Sequence, residues 1–432
     1  MFDNITKKFG SWLEQADEAV KGVRGAAGDA VKTVTDAAGN TVKAVTDVAG
    51  STVKVVTDAA GNTVKTVTDA AGNTVKTVTD VAGNTVKTVT DVAGGTAQTT
   101  FAKASTFSIT MLGPSGVGKT SLLTSMYEQF ERTIAATELS LMPDDKSETL
   151  LQERLEGLKK LATAPAVEAG VGVGNSGEVR SLTFGIGKKD EPASLHLQFT
   201  DFPGGFLAAG VSPEQRDRAY DLVSQSYVTM VVIDTPALME ANQRWNDRIN
   251  NPLRIGNIFQ EAYQDLKHPR LVLFVPVKCE KYVQDDVLAR QMIEKIKEEY
   301  HVTFNLFAAE VLRDFVTVAV APVQTVGTVV FDSLEVRDNI PHFLFRRTSA
   351  PNTYHPRDTD QPLRYIMRFL LKLHYEERVQ SWWVLSFLRE WLEFDEHLKK
   401  AVSMFAQECK EAHGGFEIVQ GQEWLKFSEE ER

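Results

Sequence analysis

The chain has 432 residues, enough for two or three domains or one large domain with attachments, and is 43% hydrophobic and 24% charged with a net charge of -11, the balance of a globular protein. That acidity argues against non-specific nucleic-acid binding, and two cysteines, Cys279 and Cys409, in no metal-like spacing exclude a disulfide framework. No uncharged apolar run reaches bilayer-spanning length and no signal-peptide core opens the chain, so the expected place is the cytoplasm, with a peripheral membrane position open to the N-terminal part.

In chain order, residues 1–24 read as an amphipathic helix. Phe2, Ile5, Phe9, Trp12, Leu13, Ala16, Val20 and Val23 follow i, i+3, i+4 spacing. Residues 25–98 repeat every 11 residues as variants of Thr-Asp-Ala-Ala-Gly-Asn-Thr-Val-Lys-Thr-Val. The period is marked by Asp36, Asp47, Asp58, Asp69, Asp80 and Asp91. Three helical turns take about 11 residues. On that wheel Ala37, Ala38, Val42 and Val45 share a sector of roughly 130°, while strict alternation is absent. The period therefore predicts an extended amphipathic arm, although Gly, Val, Thr, Asn and Asp are weak helix formers that leave it poorly ordered alone.

From about Thr100 the composition becomes that of an α/β domain, predicted over 99–345. Strands are expected at Phe107 to Leu112, Val179 to Ile186, Leu195 to Thr200, Val228 to Ile233, Leu271 to Val277 and Val316 to Ala321. Helices are expected at Lys119 to Arg132 and over 146–163. Strands alternating with helices predict a doubly wound, mostly parallel sheet covered on both faces. The short turn between the second and third of these strands predicts a hairpin, and with it one antiparallel strand. Residues 346–432 read as a helical extension, with Trp382, Trp383, Phe387 and Trp391 crowded together as core or partner surface.

Three motifs carry chemistry. Gly113, Pro114, Ser115, Gly116, Val117, Gly118, Lys119 and Thr120 match GxxxxGK[ST] between a predicted strand and a predicted helix that continues through Ser121. Such a loop lets backbone N–H groups converge on phosphates. The lysine neutralises β- and γ-phosphate charge, and the hydroxyl ligates Mg²⁺. Asp201-Phe202-Pro203-Gly204 forms a DxxG element at a strand end, where Asp201 could reach the Mg²⁺ shell and the Gly204 N–H the γ-phosphate. The bland reading is a turn closing the strand. Val277-Lys278-Cys279-Glu280 follows another apolar strand. There the Lys278 stem could cover a base and the Glu280 carboxylate could accept from guanine N1–H and N2–H₂, or the segment is a plain surface loop.

Together these motifs resemble the TRAFAC class of P-loop GTPases over about Phe107 to Val326. The third departs from NKxD at Val277 and Glu280. The insertion before the hairpin and Asp360-Gln361-Pro362-Leu363 resemble bacterial GTPases of the double-GTPase type. The resemblance implies GTP/GDP and Mg²⁺ as ligands, Lys119, Asp201 and Gly204 in catalysis, and a GTP-binding, slowly hydrolysing switch. Gly205 and Phe206 stand where many such enzymes place a water-orienting Gln, which implies a GTPase-activating partner or a homodimer. The switch threonine is open among Thr137, Thr149, Thr163 and Ser176. Arg216 and Arg218 are an internal arginine finger or a solvated helix face. The repeats are similar to the lipid-surface repeats of perilipins and synucleins, which implies a membrane or protein partner for residues 1–98. A spacer, a self-association stalk and a β-forming repeat remain alternatives there. An ATPase, or a nucleotide-stabilised scaffold acting through the arm, are the rival functions.

Overall fold

The computed structural model describes residues 30–35, 41–46, 52–57, 63–68, 74–79, 85–90 and 96–97. From 105 onward it describes all but 135–138, 165, 171–178, 189–192, 194, 208–210, 241–242, 339, 349–352, 376–395 and 427–432. The expected helix over 1–24 and the tryptophans between 382 and 391 lie outside the described residues. Two compact units result, Met1–Ala104 and Ser105–Arg432.

In the first unit the repeats are strands. The helical arm is thereby corrected, and with it the structural basis of the likeness to lipid-surface repeats. Strands β1 (Ala30–Thr35), β2 (Thr41–Thr46), β3 (Thr52–Thr57), β4 (Thr63–Thr68), β5 (Thr74–Thr79), β6 (Thr85–Thr90) and β7 (Thr96–Ala97) pair in sequence order as an antiparallel meander. The register sets Val45 opposite both Val31 and Val53, and Lys43 opposite Thr33. Thr and Val favour strands. The intervening Asp36-Ala37-Ala38-Gly39-Asn40 has turn composition. An 11-residue period thus fits a strand plus a turn as well as it fits three helical turns.

The second unit is built on an eight-stranded sheet. Its strands are β8 (Ser105–Leu112), β9 (Leu139–Pro143), β11 (Arg180–Lys188), β12 (Leu195–Asp201), β13 (Val228–Asp234), β14 (Arg270–Val277), β15 (Val316–Val320) and β18 (Glu417–Gln420), in the order β18-β15-β14-β13-β8-β12-β11-β9. The five strands from β15 to β12 are parallel. Every residue of β13 and β14 is buried, as expected of central strands covered on both faces. The β11–β12 hairpin is antiparallel as expected. The expectation of a single antiparallel strand is corrected, because β18 also runs against its neighbour, β15. Four residues of mixed polarity (Glu417–Gln420) carry too little apolar pattern to announce a strand.

Helices α1 (Lys119–Ile134), α10 (Gln361–Tyr375) and α11 (Glu396–Gln407) contribute to the core on one face, through residues such as Leu123, Phe130, Phe369 and Phe405. On the other face lie α3 (Pro213–Gln225), α6 (Pro252–Ala262), α7 (Asp286–Glu299) and α8 (His301–Ala308). Helix α2 (Asp145–Thr163) starts at its N-cap Asp144, whose side chain accepts from Ser147 N. Short helices α4 (Thr235–Met239), α5 (Gln243–Ile249) and α9 (Glu310–Arg313) complete the set. A second sheet of three strands, β10 (Ala166–Gly170), β17 (Ile340–Arg347) and β16 (Val329–Arg337), was not foreseen. Phe331, Phe343 and Phe345 of its hairpin form a separate core with Trp245 of α5 and Leu158 of α2. Among the described residues no helix is long and apolar enough to cross a membrane.

Candidate functional site

The parallel register assembles the site at the carboxyl ends of the central strands. Asp201 lies level with Met111, so the end of β12 stands beside the loop that leaves β8. Asp234 lies level with Val277, which places Lys278 next to the end of β13. Between β8 and α1 the chain turns through Gly116 and Gly118, both at positive φ (75° and 111°), a region that favours glycine. The turn leaves the N-terminus of α1 facing the loop, and such a terminus attracts anions.

Lys119 opens α1 with only 7% of its surface exposed. Its Nζ donates to the carbonyls of Gly113 (3.0 Å) and Pro114 (3.2 Å) and stands 3.6 Å from Asp201 Oδ1. Burial pushes the ammonium below the usual lysine value, against the pull of Asp201. The Thr120 hydroxyl donates to Asp201 Oδ2 at 3.0 Å. A hydroxyl and a carboxylate held together are oxygen donors suited to Mg²⁺, which keeps waters and phosphate oxygens in its shell. No cluster of three His, Cys, Asp or Glu that could cage a metal occurs among the described residues. The Thr120 and Asp201 oxygens fit a hard cation that keeps other oxygen ligands in its shell.

Gly204 begins a 3-10 turn (Gly204–Leu207) directly against the loop. A Cβ at this position would overlap Ser115 N and the Pro114 carbonyl carbon, so only glycine allows the approach. On the far side, Lys278 Nζ lies 2.5 Å from Asp234 Oδ2 and 3.5 Å from the Gly116 carbonyl, bridging β13, β14 and the phosphate loop. Glu280 is turned inward. It is 7% exposed, its Oε1 accepts from Gly327 N at 3.3 Å, and burial pushes its carboxyl up to about 7. Gly327 belongs to the segment after β15, which a strap from the C-terminal side covers: His355 N donates to the Val326 carbonyl, and Gln324 and Arg357 exchange backbone hydrogen bonds.

The structure thus brings Gly113 to Thr120, Asp201, Gly204 and Lys278 together. Glu280 lies beneath the adjoining loop. Thr149 and Thr163 bond to carbonyls of their own helix, and Thr137 and Ser176 lie outside the described residues. On α3, Arg218 is exposed and Arg216 half-buried. Sequence reasoning missed Asp234, Asn250, Gly327 and His355. Asp234-Thr235-Pro236 directly after an apolar strand has the form of a helix N-cap followed by an early proline, and could have been flagged.

The sequence profile of the Double-GTPase 2 family matches residues 108–325, which span β8 to the loop after β15. This chain belongs to the Double-GTPase 2 family. No curated protein matches it. Among solved structures, the Double-GTPase 2 chain is similar to the signal recognition particle receptor SRb-GTP/SRX complex from Chaetomium thermophilum, at 14% identity and a TM-score of 0.29, over 51% of this chain and 91% of that one. It is also similar to the S. cerevisiae Ski7 GTPase-like domain bound to GTP, at 13% identity and a TM-score of 0.28, over 52% of this chain and 44% of that one.

Proposed function

We propose that the chain binds GTP and GDP with Mg²⁺ and hydrolyses GTP slowly, as a molecular switch. The observation that carries this reading is the meeting of Lys119, Thr120 and Asp201 at the glycine-rich turn that leads from β8 into α1. In this reading Thr120 and Asp201 hold Mg²⁺, which when bound neutralises phosphate charge. Lys119 leaves the carbonyls of Gly113 and Pro114 for the β- and γ-phosphates. The Gly204 N–H meets the γ-phosphate, so the turn from Gly204 reports the nucleotide state. The stem of Lys278 covers the base. Family membership supports guanine, and Glu280 would complete its recognition with the carboxylate oxygen that does not hold Gly327.

The test is a titration of GTP, GDP and ATP with hydrolysis followed in parallel. Preference for guanine nucleotides is expected, and Lys119→Ala should weaken binding on the order of a hundredfold, the scale of losing a buried charge contact. Turnover by the isolated chain should be slow, because Gly205 follows Gly204 where a water-orienting side chain would sit. It should rise with an activating partner or a second copy. Unchanged binding by Lys119→Ala would remove the reading, and equal affinity for ATP would turn it into an ATPase.

A further inference from the structure

We propose that Asp234 is a positioning residue of the base site, holding Lys278 stretched across the phosphate loop before any nucleotide arrives; this rests on the nucleotide reading above. Lys278 leaves β14 in the left-handed region, at φ 56°, a conformation that a long side chain seldom takes and that marks a functional constraint. Its side chain is 19% exposed and its ammonium ends between Asp234 Oδ2 (2.5 Å) and the Gly116 carbonyl (3.5 Å). The four-carbon stem must therefore span from the end of β14 to the loop.

Asp234 is fixed from every side. Its backbone N donates to Asn250 Oδ1 (2.9 Å), and its carbonyl accepts from Asn250 Nδ2 (3.1 Å). The same Nδ2 donates to Asn246 Oδ1 (2.9 Å), and both asparagines are buried. Asp234 Oδ1 caps α4 by accepting from Ala237 N (3.1 Å). Next to it, the Thr235 hydroxyl donates to the Val277 carbonyl (2.7 Å), locking the residue before Lys278. Only Oδ2 is left to act outward, and it meets Lys278. A lysine pinned at its tip loses little further freedom when a flat base lies against its stem, which is preorganisation. The carboxylate anchors the stem without reading the base's edge, so its effect falls on any base and spares the phosphates.

The experiment uses the full chain, with GDP and inorganic pyrophosphate as probes, both with Mg²⁺. Asp234→Asn keeps the shape and a good N-cap residue for α4 while removing the charge. It should weaken GDP on the order of tenfold, the scale of one charged hydrogen bond, and leave pyrophosphate within about twofold. Lys278→Met should do the same, and the double variant should be no worse than either single one, as expected for two groups acting as a unit. Wild-type GDP affinity in Asp234→Asn would overturn the proposal, as would an equal loss for pyrophosphate or additive losses in the double variant. If the wild-type chain bound pyrophosphate and no GDP, the nucleotide reading itself would fall first.

Discussion

Glu280 shows how burial can redirect a residue whose type and place suggest base recognition. Its carboxyl is held up at about 7 mainly by burial, against hydrogen bonds from the Gly327 and Val326 backbone and the charge of Lys278. With the folded value above the unfolded one, folding takes up a proton between about pH 4.5 and 7. Glu280 therefore costs stability progressively as pH rises through that window, and the cost is complete above it. Guanine N1–H and N2–H₂ would favour the charged form, so GDP binding should release a proton. GDP affinity should then rise with pH up to about 7, by no more than tenfold per unit, and level off above. The phosphates of both probes also ionise near about pH 6, so the Glu280 share is the difference between chains: Glu280→Gln should lower the pH dependence of GDP affinity and leave that of pyrophosphate affinity as it is in the wild type. The same GDP profile in the wild type and in Glu280→Gln would leave Glu280 as a strut beneath the 324–327 loop.

At the scale of elements, what could be read in advance depended on locality. The central strands were legible because β13 and β14 are short apolar runs bounded by polar residues, and the phosphate loop because its function demands a contiguous string. Asn250, which bonds to Asp234 at the end of β13, and Gly327 and His355, which lie in the loop and strap beside Glu280, owe their places to contacts between distant segments, which no local pattern encodes. The repeats failed for another reason. Valines three apart, such as Val31 and Val34, read as helical spacing, while in a strand they fall at opposite parity, so neither face builds up the alternation that betrays a half-buried strand. Composition then outweighs period, since Thr and Val favour strands and Asp, Gly and Asn favour turns. Residues 25–98 as a peptide should give a strand-type circular dichroism spectrum, and lipid vesicles should not convert it to helix. Removing one 11-residue repeat should leave the spectrum type unchanged. A helical spectrum on vesicles would restore the amphipathic arm and its lipid surface.

At the scale of the second unit, the nucleotide loops and the C-terminal helices are joined by one continuous set of contacts. The 324–327 segment lies between Glu280 and the strap at 355–357. From the strap the chain passes to Thr359, whose buried hydroxyl donates to the Ser125 carbonyl in α1, the helix that begins with Lys119. Asp360 then accepts from Arg364 Nε (2.7 Å), and Arg364 and Arg368 of α10 donate to the carbonyls of Phe405, Ala406 and Gln407 at the end of α11. Both guanidiniums are nearly buried, so they cap that helix where its carbonyls lack partners and the helix dipole favours positive charge. A nucleotide that fixes the 324–327 loop and α1 should therefore steady α11 as well, through packed groups rather than through a moving domain. Amide hydrogen exchange should slow in α11 when GDP saturates the site. Arg368→Ala, which removes a buried charge and uncaps the Ala406 and Gln407 carbonyls, should cost about 3 kcal/mol of stability and abolish the GDP effect on α11 while GDP still protects α1. Exchange in α11 that is indifferent to GDP in the wild type would show the C-terminal helices to be a passive wall of the sheet.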